Sequence, residues 1–383
     1  LIRPARIVFL IDGLGMGGAE RLMVPVLQHL DRARFEPRVC ALQIRQGNPM
    51  ADQLRDLDVP VDQVPVRRLR DITALPRIAR YLRAHRADLV HTQLEFSNTL
   101  GCLAAKLNRI PSLSTLHSLD MPKERSKYAF RLKLMYWSLR RNADRVLAVS
   151  EQARQHYLAA SGDRPEHAVT LYNGISVASY AALDQAERAA ARRSLGIAED
   201  AQVLITVAVL REMKGIQYMI RALPTLLQTV PNATYLVVGD GDHRAALEAE
   251  AAAQGVEGHV IFAGMRADVP ELLSAADVFV LPTLTEALPT VLAEAMAARL
   301  PLVASAVGGV PEMIEDRQNG LLLPPADPDA LAKACAAVLS DPSFARRIAE
   351  AGHAVVEEKF NIQRQVQRLE AVYNEVLAAY TRG

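Results

Sequence analysis

The strongest constraint on the fold is a repeat: short apolar runs alternate with longer amphipathic stretches along the whole chain, the pattern of βαβ units and parallel sheets. In the first half the runs are Arg6–Ile11, Arg38–Leu42, Val61–Val66, Leu89–Thr92, Ser112–Leu116, Arg145–Val149 and Val169–Tyr172. They lack polar/apolar alternation, as strands buried on both faces do. Helical patterns such as Thr73–Arg86 and Ser97–Leu107 fill the gaps. The pattern pauses near Gly174, and a charged, alanine-rich helix follows at Ala186–Arg193, with Gly196 as its expected stop. A second series then runs through Val203–Leu210, Tyr235–Val238, Val260–Phe262, Val278–Leu281, Leu302–Ser305 and Leu321–Leu323. The expectation is an α/β chain of two doubly wound domains, residues 1–178 and 179–360, with a long helix over 361–383 returning to the first. Ligands bind such sheets beyond the carboxyl ends of the strands, at the switch point. Two sheets facing across a cleft suit two ligands.

A length of 383 residues agrees with two domains. The formal net charge of +1 gives no reason to expect a nucleic-acid partner. Cys40, Cys102 and Cys335 form no C-x-x-C pair and lie in apolar surroundings, so each is expected to be a buried, reduced thiol, as suits the cytoplasm. No apolar run approaches the ~20 residues that a membrane span needs, and no signal-peptide layout is seen.

Lys123–Arg145 differs from the rest. It carries Lys123, Arg125, Lys127, Arg131, Lys133, Arg140, Arg141 and Arg145 against only Glu124 and Asp144. Tyr128, Leu132, Met135 and Leu139 repeat at helical spacing, with Phe130, Leu134 and Trp137 beside them. Two readings stay open: a helix packed on the first sheet with a solvated basic face, or an interfacial helix that docks on anionic lipid, leaving the protein peripheral at the inner face of the membrane.

Directly after the first strand comes Asp12-Gly13-Leu14-Gly15-Met16-Gly17-Gly18-Ala19-Glu20, opening a helix. Gly13, Gly15 and Gly18 satisfy G-x-G-x-x-G, but a dinucleotide site also needs an acid at the end of the second strand to hold a ribose. That strand ends Ala41-Leu42-Gln43-Ile44-Arg45, without one. The glycines either let the helix pack closely on the sheet or let backbone approach an anionic ligand at a helix N-terminus.

In the second half, Glu286-Ala287-Leu288-Pro289-Thr290-Val291-Leu292-Ala293-Glu294 follows a strand end. Pro289 is expected in the first turn of a helix, with Glu294 about one turn inside. The N–H groups of Thr290 and Val291 would then be free for a diphosphate, and Glu286 could reach a sugar beyond it. The two acids read alone are also consistent with one surface carboxylate and one that steadies a helix dipole.

Two glutamates seven residues apart around a Pro-containing turn resemble the E-x7-E signature of family 4 retaining glycosyltransferases. The resemblance runs over essentially the whole chain: Gly17-Gly18-Ala19-Glu20, Val90-His91-Thr92, Ser150, Tyr172-Asn173-Gly174, Lys214-Gly215 and Val238-Gly239-Asp240-Gly241 match in order. It implies the GT-B fold, two Rossmann-like domains, with a nucleotide-sugar site in the second and an acceptor site in the first. By resemblance Glu286 would bind hydroxyls of the transferred sugar and Glu294 the ribose. Lys214 would neutralise the diphosphate, and His117 would contact the sugar's outer hydroxyl. Gly17, Gly18, Gly239, Gly241, Leu288, Pro289, Thr290 and Val291 would line the donor site, with Met265 and Arg266 near the base. Two departures stand out. Ala287 replaces the usual glycine, and Val209 stands where the family has a diphosphate-binding arginine; Arg211 is the candidate replacement.

The implied reaction is transfer of a hexosyl group, from UDP- in preference to GDP-sugar, to a hydroxyl of a lipid-linked or saccharide acceptor with retention and without a metal. Cys40, Cys102 and Cys335 lack metal-ligand spacing. Two alternatives share the architecture: a nucleotide-sugar 2-epimerase, and a non-catalytic nucleotide-sugar-binding protein.

Overall fold

The computed structural model of the chain describes residues 3–15, 18–43, 49–69, 71–117, 127–180 and 184–381. They form two compact units, one reaching Gly174 and resuming at Ile362, the other spanning Ile175–Asn361.

The first unit holds a parallel sheet of β1 (Ala5–Ile11), β2 (Phe35–Ala41), β3 (Val61–Gln63), β4 (Leu89–Gln93), β5 (Ser112–Leu116), β6 (Arg145–Ala148) and β7 (Ala168–Thr170), in the order β3-β2-β1-β4-β5-β6-β7. The burial of β1 explains its unbroken apolar sequence. Ala5, Ile7, Phe9 and Ile11 join one core with Met23 and Leu27, whereas Val8 and Leu10 join a second core with Ile78, Leu82 and Ala104. Both faces are covered, so neither can be polar. The first core also takes Ile362, Val366, Leu369, Tyr373 and Val376 from the C-terminal helix Ile362–Thr381. These residues recur every three or four positions, as one helix face requires.

The second unit repeats the plan with β8 (Gln202–Val207), β9 (Ala233–Val238), β10 (Val260–Gly264), β11 (Val278–Leu281), β12 (Leu302–Ser305) and β13 (Leu321–Leu323), ordered β10-β9-β8-β11-β12-β13. Its core includes Leu204, Tyr235, Val237, Val278, Val280 and Val303 from the strands, with Ile216, Ile220 and Leu223 from the helix Ile216–Thr229. The order reverses between β8 and β11 here, and between β1 and β4 in the first unit. Those two places are the switch points.

Several boundaries differ from expectation. β8 ends at Val207, short of Leu210, because the chain turns into a loop in which the Leu210 amide bonds the Asp240 carbonyl at 2.9 Å. The helix expected from Ser97 begins at Glu95, since the Asp12 carboxylate accepts the amides of Phe96 (2.9 Å) and Ser97 (2.8 Å) and so caps an earlier start. Pro289 sits outside the helix Thr290–Ala297, at its N-cap, rather than in its first turn. Cys40, Cys102 and Cys335 are all buried and free.

Candidate active site

In the second unit, loops beyond the carboxyl ends of the strands are held to their neighbours by backbone bonds. The Leu284 amide bonds the Met213 carbonyl at 2.8 Å, Gly309 bonds Glu286 at 3.3 Å, and Gly239 bonds Gly264 at 2.8 Å. Two glycines make this approach possible. Gly215, at φ +69°, lies so close to Pro282 that a Cβ would sit 1.9 Å from its carbonyl oxygen. Gly308, at φ +57°, is equally close to Glu286, with 1.6 Å between a built Cβ and the Glu286 oxygen. Only glycine tolerates both the backbone conformation and the contact.

The consequence is an ion pair. Gly215 brings the turn Glu212–Lys214 against the segment after β11, and Lys214 Nζ donates to Glu286 Oε1, with both side chains largely buried. Thr290 and Val291 occupy the first two positions of the adjoining helix, where N–H groups have no partner within the helix. Glu294 lies one turn further in, half-buried, and Leu288 is buried. Gly239 and Gly241 pack against the carbonyls of Ala208 and Leu210. A lysine, amides at a helix N-terminus and a paired carboxylate thus meet at one switch point, a combination that can bind a diphosphate and an adjacent hydroxylated group.

Other expected residues are placed less centrally. Arg211 is exposed at the start of the Lys214 turn, and Val209 is 56% exposed beside it. Met265 is exposed, whereas Arg266 is held by Asp268 through bonds of 2.8 and 2.5 Å. Gly17 lies outside the described residues; Gly18 opens the helix Gly18–His29, and among the described residues no other segment comes within 4 Å of where a Cβ would sit.

In the first unit, His91 is packed and saturated. Its Nδ1 meets the Tyr373 hydroxyl and its Nε2 the Thr115 hydroxyl, each at 2.7 Å. Burial, then the neighbouring His117, lowers its pKa to about 3, so it is neutral. His117 follows β5 and meets Gln93 Oε1 through Nε2 at 3.1 Å; burial lowers its pKa to about 4. Both histidines line a small, half-open pocket, with Gln93 and Thr115 and with apolar walls from Leu22, Val26 and Val366. Burial also raises the Asp12 carboxyl to about 6, opposed by the two amides that it caps.

Sequence reasoning missed Gln93, Asp12 and Gly308. The Gly308-Gly309 pair after a strand end was a usable signal; nothing local marked Gln93. Among the described residues, no three His, Cys, Asp or Glu side chains are grouped to hold a metal ion.

Two doubly wound parallel sheets in one chain, with this constellation in the second, define a GT-B-type glycosyltransferase. The solved structure of Anabaena HepE in complex with UDP-glucose superposes with a TM-score of 0.85 at 25% identity, covering 97% of this chain and 99% of that one. The family model "Glycosyltransferase Family 4" matches residues 16–179, and "Glycosyl transferases group 1" matches 187–355. An uncharacterized glycosyltransferase of Methanocaldococcus jannaschii is 30% identical over 280 residues, 72% of each chain. The UDP-Gal:alpha-D-GlcNAc-diphosphoundecaprenol alpha-1,3-galactosyltransferase of Escherichia coli is 22% identical over 94% of this chain and 95% of its own. The chain belongs to glycosyltransferase family 4.

Proposed function

We propose that this enzyme transfers a hexosyl group from a UDP-sugar to an acceptor hydroxyl, with retention and without a metal. The observation that carries the proposal is the Lys214–Glu286 pair beside the N-terminus of the helix Thr290–Ala297. UDP is preferred to GDP because HepE was solved with UDP-glucose and the Escherichia coli relative bears a UDP-sugar in its name.

In the reaction, the bond from the anomeric carbon to the diphosphate oxygen breaks and a bond to the acceptor oxygen forms on the same face. The acceptor's proton passes to the departing phosphate. Negative charge grows on that phosphate in the transition state, and preorganised positive charge there gives the largest help. Lys214, Arg211 and the amides of Thr290 and Val291 supply it. Glu286 binds hydroxyls of the transferred sugar, Glu294 the ribose, and His117 an outer hydroxyl of the sugar. A thermal-shift panel of UDP, GDP and their sugars tests the donor site; a response to GDP alone contradicts it. Incubation with donor alone distinguishes a 2-epimerase, which would convert it. EDTA should leave turnover unchanged.

The acceptor reading draws on the helix Lys127–Asn142. Leu132, Met135, Tyr136 and Leu139 are buried on one face. The opposite face carries Phe130 (67% exposed), Trp137 (53% exposed), Lys133 and Arg141. Residues 127–142 contain no acid, so this face complements an anionic lipid surface. Arg131 is set apart from it by its bidentate bond to Glu95, and Lys123 to Ser126 lie outside the described residues. No described helix is long and apolar enough to cross a membrane. A lipid-linked acceptor at such a surface is the favoured substrate. Each basic residue near anionic lipid contributes ~1 kcal/mol, weakened as salt shortens the Debye length from ~10 Å at 0.1 M to ~3 Å at 1 M. Sedimentation with phosphatidylglycerol vesicles should show binding at low salt, release at high salt, and loss in Lys133→Glu with Arg141→Glu. Indifference to vesicles at low salt would favour a soluble saccharide acceptor.

A further inference from the structure

Resting on the reading that His117 meets a sugar hydroxyl, we infer that Gln93 is a positioning residue that holds His117 as its Nε2–H tautomer, so that Nδ1 can only accept a hydrogen bond from that hydroxyl. The geometry fixes the direction of each bond in turn. Gln93 Nε2 lies 3.1 Å from the sulfur of Met23, a buried thioether that has no hydrogen to give. Only the NH₂ end of the amide gains by facing it. The amide's oxygen is therefore the end that faces His117 Nε2 at 3.1 Å. An amide oxygen has no hydrogen to give either, so the proton of this bond is carried by His117 Nε2.

A neutral imidazole with a proton on Nε2 has a bare lone pair on Nδ1. That atom is buried and has no hydrogen-bond partner among the described residues. The neighbouring His91 does not compete, because both its nitrogens are taken by Tyr373 and Thr115. Burial also holds His117 neutral well above its lowered pKa of about 4. A buried acceptor without a donor is rare enough to call for a partner, and a sugar hydroxyl supplies one.

Gln93 is itself held at an unusual point of the chain. Leu94, the next residue, has φ +74° and ψ 178°, a backbone conformation that residues other than glycine rarely take. The Gln93 carbonyl accepts the Ser97 hydroxyl, and Glu95 grips Arg131. The turn is thus fastened on both sides of the strained residue, with the Gln93 amide fixed between Met23 and His117.

The direct test is heteronuclear NMR on imidazole-labelled protein without substrate, which reads the tautomer of His117 whether or not the donor has been assigned correctly. Wild type should show Nε2–H, and Gln93→Leu a mixture or Nδ1–H. Met23→Leu, which frees the amide to turn over, should also weaken the preference. An Nδ1–H tautomer in wild type overturns the inference. The kinetic arm compares UDP-glucose with its monodeoxy analogues. One analogue should lose roughly 5- to 150-fold in kcat/KM with wild type, the cost of leaving a buried acceptor unsatisfied, and little with Gln93→Leu or His117→Ala. An undiminished penalty in both variants refutes the acceptor role, and failure of UDP-glucose with every variant faults the donor assignment while the NMR result still decides the tautomer.

Discussion

Lys214 is already neutralised by Glu286, so the two partners should affect diphosphate binding in opposite directions. In Lys214→Ala the phosphates lose one charge-assisted bond, and Glu286 is left largely buried without its cation. A hydrogen bond to a charged group contributes ~1.5–3 kcal/mol, equivalent to roughly 10- to 150-fold in Kd. Ligand at 100 times Kd stabilises the fold by ~2.7 kcal/mol; at the same UDP concentration the variant would gain only ~1.4 to ~0.3 kcal/mol. With ~2–4 °C per kcal/mol in a domain of this size, the UDP-induced shift should fall from ~5–11 °C to ~1–6 °C, to between a tenth and a half of the wild-type value. Glu286→Gln should do the reverse for UDP alone, because it frees Lys214 for the phosphates, while lowering turnover roughly 10- to 150-fold through its weakened hold on the sugar. Differential scanning fluorimetry with UDP, alongside steady-state kinetics, reads both effects. A Lys214→Ala protein with the full wild-type shift would refute the assignment of the diphosphate site. A Glu286→Gln protein that binds UDP more weakly would refute the competition between phosphate and carboxylate.

Arg211→Ala should raise the Kd for UDP and Val209→Arg should change it little, as isothermal titration can show; unchanged binding in Arg211→Ala removes that residue from the site. Gly215→Ala should lower Tm far more than Gly255→Ala. Both have positive φ, but a Cβ at 215 strikes the Pro282 carbonyl whereas nothing lies within 4 Å at 255. Equal losses would show that the close approach at Gly215 is unimportant. For His91, the folded pKa of about 3 lies below the unfolded ~6.5, so between these values the unfolded chain binds more protons and stability rises with pH. The decline in Tm from neutral pH to pH 5 should therefore be smaller in His91→Asn than in wild type. An identical decline would mean that His91 is not held neutral.

The double winding was legible because strands buried on both faces leave unbroken apolar runs, and β1 is an example. The Glu286-to-Glu294 segment was legible because a helix N-terminus demands particular residues in a fixed order, whereas Lys214-Gly215 stood out only through the resemblance to family 4. The ion pair between Lys214 and Glu286 was not, since it depends on Gly215 and Gly308 closing loops that are distant in sequence. Gln93 was hidden for a similar reason: its role depends on Met23 and His117, which approach it from other segments of the chain. The Lys123–Arg145 stretch supported two readings because its apolar residues exceed what one face needs. The structure divides them between a buried stripe and an exposed aromatic face.

Transfer of a hexosyl group from a UDP-sugar with retention leaves its mark on the anomeric configuration of the product. Incubating the enzyme with anomerically pure UDP-α-glucose and a lipid-linked saccharide acceptor, then reading the anomeric proton coupling of the new linkage by NMR, tests this most directly. The expected product is an α-glycoside, formed equally well with EDTA present. A β-glycoside, or conversion of the donor to an epimer without an acceptor, would contradict the proposed reaction.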